Sequence, residues 1–203
     1  MAKRGRNKRT ASPPRPRFSR TPEDDVSNYN STGPLPIRLY GDPVLRQKAL
    51  PIRKITDVEQ KLAKDMLATM YAAPNGVGLA APQVGVLKRL IVIDLNRDDV
   101  SSKPLVLINP ETQRLDGESI EDEGCLSIPN ITAEVKRANE AVVSALDLNE
   151  ETVSVETEGL LARVLQHEID HLDGVLFIDR VKGFRRQVLR KKLRKLKNNT
   201  LRQ

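Results

Sequence analysis

Gln166-His167-Glu168-Ile169-Asp170-His171 contains both histidines of a 203-residue chain. Residues four apart on a helix share a face, so two imidazoles at this spacing can reach one metal ion while Glu168 points at water bound to it. Two histidines scattered over a chain this long would stand four apart only about once in a hundred arrangements, so chance is a poor account of the motif. A polar helix face carrying two satisfied histidines would leave the spacing unexplained. Leu160, Leu161, Val164, Leu165 and Leu172 recur around the motif at helical intervals and predict a helix over 159–172 with one apolar side to bury.

Upstream of this helix the pattern changes. Runs at 89–95, 105–108, 141–148 and 152–156 are short, β-like and punctuated by Asn, Asp, Gly and Pro. Earlier still, Thr56 followed by Glu59 makes a capping box, and Val58, Leu62, Met66, Leu67 and Met70 keep helical spacing until Pro74-Asn75-Gly76 stops them. Strands bracketed by two helices, without a regular βαβ alternation, predict an α+β fold and not a doubly wound sheet.

Charge divides the chain into three parts. Residues 1–20 carry eight Lys/Arg and no acid, and residues 180–203 carry eleven and no acid. The other 15 basic residues sit among all 27 acids, so an overall charge of +7 hides tails of +19 and a body of −12. Residues 1–32 are rich in Arg, Pro, Ser and Asn without apolar periodicity and read as a disordered basic arm. The arm lacks the apolar stretch of a secretory signal, and only its Arg content is like that of an organelle transit peptide. Residues 33–180 form the body. In 181–203, Val181, Phe184, Val188, Leu189, Leu193 and Leu196 fall on one stripe of a basic amphipathic helix, which can dock on the body, bind a polyanion, or do both.

The length fits one compact domain with tails and excludes a large multidomain machine. A single Cys excludes an intrachain disulfide, and no run approaches the roughly 18 apolar residues of a membrane span. A soluble intracellular protein with no membrane partner is expected.

A catalytic metal typically keeps three protein ligands and one open position, so the two histidines need a third donor. No Glu follows Glu168 and no third His exists, which removes the common protease layouts of the HExxH motif. Cys125 remains, in Glu123-Gly124-Cys125-Leu126-Ser127. A lone Cys is most often a small buried hydrophobe, yet this one would complete a Cys/His2/water site with no other Cys or His unused. Gly76-Val77-Gly78-Leu79-Ala80-Ala81-Pro82-Gln83 adds small residues that admit a ligand close to the backbone and ends in an amide able to donate to an oxyanion. By itself such a loop usually just packs against a strand. It is not a phosphate loop, because the Lys and Ser/Thr are missing.

In their order and spacing, Gly76–Gln83, Glu123–Ser127 and Gln166–His171 resemble the three signature motifs of the peptide deformylases, which remove the formyl group from the N-terminal Met of nascent bacterial and organellar chains. The resemblance runs over about 36–180 and includes Tyr40-Gly41-Asp42-Pro43-Val44-Leu45-Arg46. It implies antiparallel β-sheets packed around a central HExxH helix, with a basic C-terminal helix after them. It also implies Cys125, His167 and His171 as ligands of one divalent ion, Fe(II) in the family, with zinc, nickel or cobalt able to occupy the site. Glu168 would be the general acid/base, Gln83 and the Leu126 N–H the oxyanion donors, and Glu123 with Arg137 an ion pair steadying the Cys loop. Val77, Gly78, Gly124, Leu160 and Val164 would line the channel for the Met side chain and peptide.

The implied partners are N-formylmethionyl nascent peptides and, through the basic helix, the ribosome surface near the tunnel exit. A monomer in the bacterial cytoplasm is the expectation, with an organellar form as the alternative. Two departures from the family pattern are Asn130, where many relatives carry Gly or another residue, and the Asn149-Glu150-Glu151 turn, which lacks the usual Gly. The rival reading is a ribosome- or RNA-binding protein with a structural metal site, suggested by the charge of the tails; a metalloprotease lacks ligands.

Overall fold

Thr56 and Glu59 open the first long helix, α1 (Asp57–Ala72), as the sequence predicts: the Thr56 side chain caps the helix and Glu59 reaches back to the Thr56 N–H at 2.9 Å. The computed structural model describes residues 33–99 and 101–200. The proposed basic arm, 1–32, lies outside them.

After α1 come β1 (Gly78–Ala80), a 3-10 turn (Ala81–Val84), β2 (Leu90–Ile93), β3 (Leu105–Asp116), β4 (Ser119–Cys125), β5 (Ile128–Arg137), β6 (Glu140–Leu146) and β7 (Thr152–Glu158). The helices α2 (Gly159–Leu172), α3 (Phe177–Arg180) and α4 (Gly183–Thr200) complete the order. Among the described residues β1-β2-β3-β6-β7 form one antiparallel sheet in that order, and β4 pairs with β5 as a separate hairpin. The fold is mixed helix and antiparallel sheet, the α+β class expected.

The sheet is buried unevenly. All four residues of β2 are covered, because α1 packs on one side through Leu62, Met66 and Met70, and α2 on the other through Leu165, Ile169 and Leu172. Burial on both sides explains a continuous Leu-Ile-Val-Ile run in place of alternation. A third cluster joins Ile128 and Val135 of the hairpin to Phe177, Ile178, Leu189 and Leu193.

The terminal stripe needs correction. Val181, Leu189 and Leu193 are buried and Leu196 is partly so, but Phe184 is 77% and Val188 54% exposed. Val181 lies at the end of α3, before α4 begins at Gly183, and within α4 Phe184 and Val188 stand roughly 100° or more round the helix from Leu189, Leu193 and Leu196, so only one edge of a broad stripe meets the body. The other end of α4 is seated closely: a Cβ at Gly41, φ +119°, would stand 3.2 Å from Lys197 Cα. The two departures from the family pattern share a conformation, Asn130 at φ +60° and Glu150 at φ +64°. Glycine adopts such angles without strain, and Asn tolerates them better than Glu.

Candidate metal centre

Helix α2 turns His167 and His171 to one side, their ring centroids 5.0 Å apart, and the β4–β5 hairpin brings Cys125 to the same point. One donor atom from each of Cys125, His167 and His171 lies within 4.8 Å of the other two. Cys125 Sγ is 3.2 Å from His171 Nε2. The donors come from two separately hydrogen-bonded units, and Cys125 and His167 are 42 positions apart in the sequence. One thiol and two imidazoles are a donor set suited to a divalent transition metal, so the residues fit such an ion.

Each donor is held from behind. His167 Nδ1 lies 3.0 Å from Glu123 Oε2, which leaves Nε2 for the cluster. Glu123 accepts two hydrogen bonds from Arg137, Nε to Oε1 at 2.6 Å and Nη2 to Oε2 at 2.9 Å, so the expected ion pair is present and fully buried. Desolvation alone would raise the Glu123 pKa, but His167 and Arg137 outweigh it and hold the carboxyl at about 2. Burial likewise works against a charged His167, yet its interactions with Cys125 and Glu123 push its pKa up to about 10. For His171, desolvation and the neighbouring charge of His167 act in the same direction and lower the pKa.

Glu168 is 4% exposed, and its Oε2 has no hydrogen-bond partner among the described residues. Desolvation pushes its pKa up to about 7 against the opposing pull of His167 and Arg137. A carboxyl poised near neutrality can both take and return a proton. Gly78 lies beside it: a Cβ there would meet Glu168 Oε1 at 2.5 Å and Val164 Cγ1 at 2.9 Å.

Gln83 is buried in the 3-10 turn after β1. Its orientation is set by the Ala80 N–H, which can only donate and does so to Oε1 at 2.8 Å. Nε2 therefore faces the cluster, 3.5 Å from Cys125 Sγ and 3.3 Å from Ser127 Oγ. Leu126 occupies the turn between β4 and β5, immediately after Cys125. Of the expected channel residues, Gly78 and Val164 meet at Glu168, Val77 is half-buried against the core, and Gly124 and Leu160 are exposed.

Three neighbours escaped the sequence reading. Arg163, 4% exposed, donates to Glu123 at 2.7 Å; Asp170 accepts from Arg137 at 2.7 Å and pairs with Arg180; Ser127 is buried against Gln83. Asp170 sat in the quoted motif, where its helical position opposite the solvent was the available signal. Ser127 likewise closed the quoted Glu123–Ser127 motif, but its partner Gln83 is distant in sequence, and Arg163 had no signal at all.

A family model described as polypeptide deformylase matches residues 34–187. A peptide deformylase of Thermodesulfovibrio yellowstonii is 50% identical over 160 residues, covering 79% of this chain and 96% of the relative. One from Desulfitobacterium hafniense is 55% identical over 142 residues, covering 70% and 91%. The crystal structure of a peptide deformylase from Legionella pneumophila matches with a TM-score of 0.76 at 42% identity, over 84% of this chain and 99% of that one. The peptide deformylase of Synechococcus elongatus in complex with actinonin gives 0.75 at 47% identity, over 80% and 89%.

Proposed function

The chain belongs to the peptide deformylase family, and from that premise we propose that it hydrolyses the formyl amide of N-formylmethionyl nascent peptides with Cys125, His167 and His171 holding the metal and Glu168 moving the proton. The observation that carries the proposal is the convergence of one thiol and two imidazoles beside the buried Glu168 carboxyl, one oxygen of which has no hydrogen-bond partner among the described residues. The ligand set would serve many amides, so family membership is what selects the formyl group.

When bound, a divalent cation supplies a water acidic enough to attack near neutral pH and an electrophilic pull on the formyl oxygen. Glu168 takes a proton from the attacking water and returns it to the departing amine, so the C–N bond breaks to give formate and a free N-terminal Met. Gln83 Nε2 and the Leu126 N–H donate to the oxygen on which charge develops; removing one such donor costs about 3 kcal/mol of transition-state stabilisation. Glu123 fixes the His167 ring, and Arg137 holds Glu123. Val77, Gly78, Gly124, Leu160 and Val164 receive the Met side chain and peptide. Fe(II) is the proposed metal, with zinc, nickel or cobalt as substitutes.

The division into a catalytic body, 33–180, and a basic docking helix, 181–203, belongs to the same reading. Arg186, Arg190, Arg194 and Lys197 line a groove between α4 and the body with Tyr40 and Arg46. Such a face suits the ribosome surface near the tunnel exit, with the protein acting as a cytoplasmic monomer. No described helix is long and apolar enough to cross a membrane.

The test is formate release from a formyl-Met peptide by metal-loaded protein. Glu168→Ala is expected to retain one equivalent of metal and to lose turnover by about 100-fold or more. Full activity in a metal-loaded Glu168→Ala protein would remove the assigned role.

A further inference from the structure

Arg163 stands one turn before His167 on α2, and it is almost fully buried. Its guanidinium crosses to the hairpin. Nη1 donates to Glu123 Oε1 at 2.7 Å and to the Val135 carbonyl at 3.0 Å, while Nη2 donates to Ser119 Oγ at 2.8 Å and to the Ser119 carbonyl at 3.1 Å. Nε has no hydrogen-bond partner among the described residues and lies 3.7 Å from Glu121 Oε2. One side chain of the helix that carries both histidines is thus fastened to both strands of the hairpin that carries Cys125.

These bonds matter because the hairpin and the five-stranded sheet are hydrogen-bonded separately. The separation between thiol and imidazoles is therefore set by side chains and not by a shared strand ladder. Arg137 supplies part of the connection, but it divides its donors between Glu123 and Asp170. Arg163 adds a second cation on Glu123 and, unlike Arg137, binds the β4 and β5 backbone around it. A planar fork with donors in two directions suits a carboxylate and two carbonyls together; an ammonium has no such fixed geometry.

We infer that Arg163 is a positioning residue for the metal site, holding Glu123 against His167 and the Cys125 hairpin against the histidine helix. The inference rests on the metal ligands proposed above and extends them to a residue that touches no ligand atom. Loss of a partner that orients a metal ligand typically weakens metal binding by about 10- to 100-fold.

The experiment compares full-length wild type, Arg163→Met, Arg163→Lys and Glu59→Gln, each loaded with zinc. The rate of metal transfer to a chromogenic chelator is measured alongside the Tm of the metal-free form. Arg163→Met is expected to lose zinc about tenfold faster or more. Arg163→Lys should lie between it and wild type, at roughly three- to tenfold, because it keeps one charge on Glu123 and forfeits the backbone anchors. Glu59→Gln lies in α1 and should lower Tm while releasing zinc within about twofold of the wild-type rate. Release within about twofold of wild type by either folded Arg163 variant, or equal acceleration by Glu59→Gln, would overturn the inference. If Arg163→Met does not fold, the Arg163→Lys rate decides alone. Wild type that holds no zinc would instead defeat the ligand assignment itself.

Discussion

Gly78 is the residue at which backbone and chemistry approach most tightly. A methyl group there would press on the Glu168 carboxylate and on Cγ1 of Val164, a buried β-branched side chain with little freedom to turn aside. Gly78→Ala is therefore expected to fold with stability lowered by about 1–3 kcal/mol and to lose about 10- to 100-fold in kcat, since displacing a catalytic group by about 1 Å costs that much. Steady-state kinetics with a formyl-Met peptide checks it; undiminished kcat would mean that Glu168 has room to spare. The HExxH spacing was legible because helical periodicity alone puts His167 and His171 on one side. The Glu123–His167 bond was not, because it joins residues 44 apart whose approach depends on how the hairpin docks. Arg163 was hidden for a related reason: in sequence, a helical arginine looks like a solvated one.

Among the elements, α1 carries its own pH sensor. Burial alone would raise the Glu59 pKa, but hydrogen bonds from Lys88 and Thr56 and the Lys88 charge leave it lowered. A carboxyl with a depressed folded pKa stabilises the protein above its unfolded pKa, and the contribution is lost as pH falls through the folded value. Glu59→Gln should therefore unfold more easily than wild type at neutral pH, by about 1–3 kcal/mol, because it keeps an oxygen for the helix cap but removes the charge that pairs with Lys88, leaving that cation unpaired at a half-buried site. Denaturant titrations should show the gap constant well above 4.5, the ordinary value for the group, and narrowing below it; a gap that widens in acid would contradict the assignment.

The same element was fully legible, since its capping box, apolar stripe and Pro-Asn-Gly stop are all local. The helix over 159–172 also matched its bounds. The hairpin of β4 and β5 was missed because its outward residues, Glu121, Asp122 and Glu134 among them, mask the inward Glu123, Val135 and Arg137. Its inner face is partly ionic: on β5 Ile131, Ala133 and Val135 do alternate with polar residues, but β4 carries no apolar alternation to pair with them. β1, at three residues, is too short to leave a pattern.

Across the molecule, α4 separates docking from charge. Leu189 and Leu193 anchor it to the body, so deleting 181–203 would expose the core that they cover. Replacing Arg190, Arg194 and Lys197 together by Glu keeps those anchors. Binding to purified ribosomes is expected to fall by tenfold or more, with a shallower salt dependence, while turnover of a small formyl peptide stays within about twofold. Ribosome binding unchanged at two salt concentrations would remove the docking role of this face.

With Cys125 on one hydrogen-bonded unit and the histidines on another, a cation held between them would work as a clasp. Chelation should loosen the 119–137 hairpin before the main sheet, and a protease added to metal-free protein should nick that segment first, with zinc restoring resistance. Starvation for metal would then mark the protein for turnover through the very segment that supplies its sulfur, making the quantity of intact enzyme follow the supply of its ion.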